Sequence, residues 1–341
     1  GLWSFDHANG QLREGRVLAE QLLSMAGRTD SDLARGVAHN AMASTQLWMG
    51  EFVAARENFE ITAKIFDRDL PRYLPMMDTP VTPSRCHYAW ALHIGGYPEQ
   101  AKRRMDEGNE LALRLRRPFS VAFSSLYAIV LMHFRHEYAD VRPRCEALIE
   151  LSRENGLPFW LAAGQMCLGR TIAGEGQFVG DEAAMTSGLA LLKESVESLA
   201  AAGAELIYSF SFALLAEVYI TMKRAEESLR ALDQLTQRVE QKDHRLLEVE
   251  VHRLRGETML LYKDGAAEAE RCFRTAIEIG VRQQATSWRL RAATSLARLL
   301  ARTGRRDEAR ATLAPAFAQF TEGFDTSDLL EAKTLLGELE A

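Results

Sequence analysis

Signals for β-structure are nearly absent from this 341-residue chain. Alternating Val, Ile, Tyr and Thr runs between turn pairs are scarce. Asn-Gly stands at Asn9-Gly10 and Asn155-Gly156, but neither pair is flanked by two alternating segments. Long apolar runs are missing too. The longest, Leu126 to Met132, is far short of a membrane span, and no secretory pattern opens the chain. Cysteine is sparse: Cys86, Cys145, Cys167 and Cys272 are scattered without zinc-site pairing and read as small buried hydrophobes in a reducing cytosol. The expected location is therefore cytoplasmic, with no membrane partner. Nor is there an excess of positive charge. Forty-one basic residues face 47 acidic ones, a net charge of −6, so direct nucleic-acid binding through clustered Lys and Arg is not expected. A hydrophobic fraction of 47% excludes wholesale disorder.

Catalytic motifs are equally missing. No Gly-x(4)-Gly-Lys-Ser/Thr cradles a phosphate, and no Gly-x-Ser-x-Gly marks a nucleophile elbow. Gly174, Gly176 and Gly180 lack a preceding strand, so they read as a lengthened helix–helix turn rather than a dinucleotide fingerprint. No nucleophile, base and oxyanion donor converge in sequence. The chain is thus read as a non-enzyme, with no cofactor and no metal.

What is present is helical. Ala, Leu, Glu and Arg dominate windows of about 15 residues with apolar spacings of three and four. From Trp288 to Ala301, Leu290, Ala293, Ala297 and Leu300 share one face, which Leu296 and Leu299 widen; Gly304 then suits a helix C-terminus. The fold class is all-α.

The helices repeat in pairs. Ala297, Gly304, Ala309, Leu313 and Ala316 recur in register with Ala89, Gly96, Ala101, Met105 and Gly108; Gly256, Ala269, Phe273 and Ala276 follow the same layout with one extra residue in the turn. Small residues at the first and third marks let two backbones approach, and the larger residue fills the gap beside the crossing. Such a hairpin must stack on its own copies to bury its face.

The spacing small-x(11)-Ala-x(3)-Phe/Leu-x(2)-Ala resembles the tetratricopeptide repeat. This implies a right-handed superhelical solenoid of one repeat domain over 1–341. Seven hairpins are expected at 31–66, 84–117, 118–155, 158–203, 205–241, 245–283 and 286–319, after a truncated first one at 1–28. A capping helix follows at 326–340. Second helices are expected to centre near Ala55, Ala101, Val141, Gly188, Ser228, Ala269 and Ala309. Four prolines within 67–83 (Pro71, Pro75, Pro80 and Pro83) mark a non-helical excursion, and the short segment before Ala8 leads to the expectation that the array continues upstream.

Gly95-Gly96-Tyr97-Pro98-Glu99-Gln100-Ala101, Arg117-Pro118-Phe119-Ser120, Leu290-Arg291-Ala292-Ala293-Thr294-Ser295-Leu296-Ala297 and the closing Phe320-Thr321-Glu322-Gly323-Phe324-Asp325-Thr326 are more specific. They are similar to the C-terminal repeat region of large bacterial signalling ATPases, where a cyclase or DNA-binding domain and an NTPase switch come first. The resemblance implies an interaction or effector-sensing module that regulates an attached output domain. The alternative is a self-association scaffold, and hence a homo-oligomer.

The resemblance also selects residues that would line the concave groove, from the first helix of each hairpin: Asn40 and Ser44; Cys86, Trp90 and His93; Phe123, Val130 and His133; Met166 and Arg170; Phe210 and Glu217; Arg253 and Glu257; Thr294 and Arg298. Their chemistry runs from an aromatic middle to a charged flank. That gradient suits a peptide, a partner domain of the same parent protein, or a small effector with a carboxylate or phosphate near Arg170 or Arg253. Equally, a tight superhelix would fill its axis with these same side chains. Asn40 has no partnering Lys or second Asn, so no carboxylate clamp is expected.

Other polar groups have plain readings. His133 and His136, followed by Glu137, read as a solvated helix terminus; His87 and His93 are too far apart to share a face; His244 and His252 lie on a charged helix with Glu248 and Glu250 that reads as ordinary surface. Asp181-Glu182 and Glu226-Glu227 fall where helices begin.

Overall fold

The computed structural model describes residues 2–73, 81–203 and 205–340, with the side chains of 69–73 outside the description. Within them the chain is a stack of helical pairs. They are α1 (Leu2–Ala8) and α2 (Leu12–Ala26); α3 (Asp32–Trp48) and α4 (Phe52–Tyr73); α5 (Val81–Ile94) and α6 (Pro98–Leu115); α7 (Pro118–Phe134) and α8 (Val141–Glu154). Then come α9 (Pro158–Val179) and α10 (Glu182–Ala201); α11 (Glu205–Thr221) and α12 (Ala225–Lys242); α13 (Glu248–Met259), led by a 3-10 turn at Arg245–Leu247, and α14 (Ala266–Gln283); α15 (Thr286–Arg302) and α16 (Arg306–Phe317). Helix α17 (Ser327–Glu340) closes the array.

Local chemistry sets these boundaries. Pro98, Pro118 and Pro158 open α6, α7 and α9, at a position whose N–H has no intrahelical use. The Ser31 hydroxyl and the Asp181 carboxylate accept the Ala34 and Ala184 amides at 3.2 and 3.0 Å. Glu226 and Glu227 lie in the first turn of α12.

Three expectations need correction. Helix α4 runs to Tyr73, with Pro71 in its last turn, and α5 already includes Pro83 at its third position, where the missing N–H is harmless. Residues 67–73 and 81–83 of the expected non-helical excursion are therefore helical, and 74–80, with Pro75 and Pro80, lie outside the described residues. Gly174 and Gly176 sit inside α9 rather than in a lengthened turn. Here the glycines serve packing: a Cβ on Gly176 would stand 2.8 Å from the Asp181 carbonyl, and one on Gly169 2.7 Å from the Gly188 carbonyl. The marks taken as centres of second helices fall early in them instead; Ala55, Ala101, Ser228, Ala269 and Ala309 are each the fourth residue, and Val141 is the first. They are the points where paired helices cross, not midpoints.

From α3 to α16, the odd-numbered helices form an inner layer and the even-numbered ones an outer layer. In α5, 12 of 14 residues are buried, whereas α6 buries six of 18 and turns a polar face to water. An inner helix buried all round has a neighbour on its axial side as well.

That neighbour arrives from the far end of the chain, because the superhelix completes a turn and its edges meet. The α3–α4 turn at Gly50 abuts Arg245 and Gln283, the α5–α6 turn at Gly96 abuts Thr286, and Ser327 donates to the His136 carbonyl after α7 at 3.4 Å. Each such turn thus meets the start of a hairpin five places further on, α3 facing α13, α5 facing α15 and α7 facing α17. Further links follow the same seam. Ser287 Oγ donates to the His93 carbonyl at 2.5 Å, and His244 Nε2 bonds the Gly10 carbonyl at 2.9 Å.

Gly96 (φ +92°) and Gly304 (φ +81°) both end inner helices in the left-handed region, but a Cβ on Gly96 would stand 2.9 Å from Thr286 Cβ while one on Gly304 meets nothing within 4 Å. Gly304→Ala should therefore cost about 1 kcal/mol, and Gly96→Ala about 1–3 kcal/mol more through overpacking at the seam, in urea unfolding.

Candidate functional site

The residues selected for a concave groove are buried or half-buried among the inner helices. Toward the N-terminal half several of them join an aromatic column. Trp90, 1% exposed, stacks on Tyr127 at 4.3 Å between ring centres and donates its Nε1–H to the Tyr127 carbonyl at 3.0 Å. Phe123 stacks on the other face of the cluster, 4.3 Å from Tyr127, and is only half-buried. Phe134 bridges Trp90 (5.3 Å) to Trp288 (4.9 Å) and Phe210 (5.9 Å). His93, Cys86, Val130 and Met166 are buried among these helices. Asn40 is buried, and Ser44 bonds His87 Nδ1 at 3.1 Å, whose Nε2 lies 2.9 Å from the Tyr127 hydroxyl. This Ser–His–Tyr chain is buried.

The C-terminal side of the axis is ionic. Arg170 Nε donates to Glu217 at 2.8 Å; Arg253 makes two bonds to Glu250, at 2.8 and 2.7 Å; Arg291 donates to Asp328 at 2.8 Å and lies 3.6 Å from Glu250. Arg291 also donates to the Phe134 carbonyl, His136 Nδ1 lies 2.9 Å from Asp328, Ser295 donates to Glu257 at 2.6 Å, and Arg298 pairs with Glu331. A cleft of about 110 Å³ opens here, lined by His136, Arg253, Arg291, Thr294, Ser295, Arg298, Asp328 and Glu331. A larger and more open cleft, about 800 Å³, lies at the seam between Met49–Ala54 and the Arg245, Glu248 and Arg282 side chains.

Burial and pairing pull the titrating groups in opposite directions. Burial would raise the Glu217 carboxyl, but Arg170 overrides it and holds the group at about 2. Asp328 is likewise depressed well below the carboxylate range, burial being outweighed by Arg291 and His136. Burial would lower Arg253, yet Glu250 and Glu257 raise it; Arg298, desolvated and beside Arg302 and Arg253, is lowered. Desolvation dominates for His7 and His133, both lowered to about 4, and for His93, lowered to about 3.

Two expectations are overturned here. His133 is not solvated: it is buried, with Nδ1 2.9 Å from the Ile129 carbonyl. The segment bearing His244, Glu248 and Glu250 is not ordinary surface: His244 lies ahead of the 3-10 turn rather than on the helix, and all three are under a tenth exposed. Trp288, Glu250, Arg291, Asp328 and His136 had not been selected, yet they complete the column and the ionic cluster. One signal was available: Arg291 stands alone among small and apolar residues in Leu290-Arg291-Ala292-Ala293. No group of three or more His, Cys, Asp or Glu side chains suited to a metal occurs among the described residues, and none of their helices is long and apolar enough to cross a membrane.

No family model matches the chain, and no curated protein matches it in sequence. Its fold does match solved structures. NprR, solved in complex with its cognate peptide NprX, superposes with a TM-score of 0.53 at 12% identity over 86% of this chain and 81% of that one. A signal transduction ATPase with numerous domains and a tetratricopeptide repeat sensor, from Pyrococcus horikoshii, gives a TM-score of 0.44 at 14% identity, over 90% of this chain and 45% of that one. Yeast Tom70 gives 0.47 at 12% identity over 91% of this chain and 64% of that one. The chain therefore has a tetratricopeptide-like helical repeat fold.

Removing a buried charge strands its partners. Arg291→Ala should destabilise the protein by about 3–5 kcal/mol, whereas Arg298→Ala, at a half-exposed pair, should stay within about 1 kcal/mol, both read from urea unfolding. The buried histidines bind protons more weakly folded than unfolded, so folding is favoured above pH 6.5 and loses stability as pH falls toward about 4. Urea midpoints at pH 7, 6 and 5 should decline accordingly. Loss of the Glu217 and Asp328 contributions follows only at lower pH, since their folded forms hold the charge down to about 2 or below.

Proposed function

We propose that this chain is a non-catalytic interaction and effector-sensing module of a larger bacterial signalling protein. Its axial surface takes a peptide, a partner domain of the same protein or a small effector, and the resulting change of state is passed to an attached ATPase, cyclase or transcription regulator. The observation that carries this reading is the make-up of the ionic cleft. His136 comes from the turn after α7, Arg253 from α13, Arg291 and Arg298 from α15, and Asp328 and Glu331 from α17. A charged group bound among them touches hairpins that are remote in sequence, so occupancy and superhelix geometry are coupled. The likeness in fold to NprR, which was solved with a peptide, supports the same reading. Arg298 would receive a ligand carboxylate or phosphate, since both it and its partner Glu331 are half-exposed at the cleft.

Native mass spectrometry of the gently desalted protein, beside a denatured control, tests this. The expected result is a ligand mass that denaturation releases and that Arg298→Ala reduces. A bound mass indifferent to Arg298 would overturn the cleft as the effector site. A bare chain in every preparation would leave domain docking as the role.

A second reading, self-association, rests on the outer face of the first two helices, where Leu2, Phe5, Val17 and Met25 are 53–75% exposed. Light scattering that gives a dimer whose population rises with concentration supports it; a monomer at all concentrations sinks it.

A further inference from the structure

The seam joins parts of the chain that a solenoid normally keeps apart, and it does so with contacts of an unusual kind. The carboxylate of Glu322, in the connection between α16 and α17, accepts the backbone amides of Glu99 and Gln100 at 3.0 Å each, and Gln100 Nε2 at 3.2 Å. These amides belong to the first turn of α6, where a helix has no partner of its own to offer, and Tyr97 supplies no side-chain cap. A Cβ on the neighbouring Gly323 would stand 2.2 Å from Pro98 Cγ. The helix is thus capped from more than 220 residues away. The Phe134 carbonyl is taken by Arg291, the His93 carbonyl by Ser287, and Asp243 receives Arg13 at 2.5 Å.

A second observation bears on how firmly this seam is shut. Closure sets His93 edge-on to Trp288, with ring centres 5.9 Å apart, and both rings keep a buried polar atom without a partner, His93 Nδ1 and Trp288 Nε1. Water would satisfy both atoms if α15 moved off α5, so closure carries a desolvation penalty that opening relieves. Neighbouring hairpins, by contrast, keep their shared apolar faces whether the seam is open or shut, because stability in a stacked array is held mainly between adjacent units.

We infer that the seam is a latch. The chain exchanges between a closed superhelix, in which Trp288 fills the axis beside Phe134 and His93, and an open one, in which the hairpins stay folded but α13–α17 swing away from α3–α7. Opening uncovers the Trp90–Tyr127–Phe134 column to a partner; closing withdraws it. This goes beyond the proposed function, since the latch exists whether or not an effector is ever found.

Site-resolved hydrogen exchange on the whole chain tests it without a ligand. First-turn amides of a helix are ordinarily quick to exchange, so protection at Glu99 and Gln100 reports closure. The comparison is with Asp307 and Glu308 in the first turn of α16, whose preceding Gly304 meets no neighbour. Expected is protection of Glu99 and Gln100 by about tenfold or more over Asp307 and Glu308, yet well below that of the mid-helix amides of α9 and α10. Glu322→Ala should abolish that protection, leave α9 and α10 unchanged and enlarge the radius of gyration in X-ray scattering. Glu322→Gln, which keeps an acceptor oxygen, should restore part of it. Exchange at Glu99 and Gln100 as fast as in α16 would mean that the seam does not form. Exchange there as slow as in the α9–α10 core would mean that it opens only on global unfolding. Protection that survives Glu322→Ala would remove Glu322 from the latch. Each of these three results overturns the inference.

Discussion

An inner helix such as α5 has two apolar faces to bury, and the adjacent hairpin covers only one. The second must be covered across the axis, and the chain does this by winding so tightly that inner helices ten apart come face to face. The near-complete burial of α5, and the burial of most of α7, α11 and α15, follow from that constraint. So does the aromatic column, since Trp90, Tyr127, Phe134 and Trp288 are large enough to span a narrow axis. The ionic cluster follows too: where the axis is lined by charged residues, each guanidinium had to meet a carboxylate or a free carbonyl, because an unpaired charge there would not survive desolvation.

The repeat architecture was readable because it is local. Ala89, Ala101, Ala297 and Ala309 recur at a fixed spacing, and each is fully buried at a helix crossing. Gly256 belongs to the same pattern, with the Phe273 ring 2.4 Å from where its Cβ would be. The offsets that selected Trp90 and Arg170 put them in contact with the next inner helices, at Tyr127 and Glu217. What lies on the axial side of those positions was not readable. Whether a concave residue looks into an open channel or into another helix depends on superhelical pitch, and pitch is the sum of small rotations at every junction.

Closure itself left only faint marks in the sequence, since its contacts use single polar residues separated by 150 or more positions. Two of the four segments that carried the family resemblance, Gly95 to Ala101 and Phe320 to Thr326, turn out to be opposite halves of one contact, through Glu322 and Gly323. A third contains Arg291, which ties α15 to the end of α7 and to α17. Residues that look like separate idiosyncrasies along the chain are one interface in space. The buried histidines were misjudged because a helix end is normally wet: His244 is dried by the edge-to-edge meeting at Gly10, and His133 by its neighbours Tyr138 and Arg170.

An open solenoid tolerates gain or loss of a unit, because each hairpin answers only to its neighbours. This one is indexed. The turn at Gly96 fits Thr286, and the one at Gly50 fits Arg245, only while the partner belongs to the fifth hairpin further along. Deleting or duplicating any hairpin between them would bring every turn along the seam opposite the wrong partner, as a gear meshes wrongly when one tooth is removed. Evolution can therefore reword the hairpins of such an array freely, but it cannot easily change how many there are between the two edges.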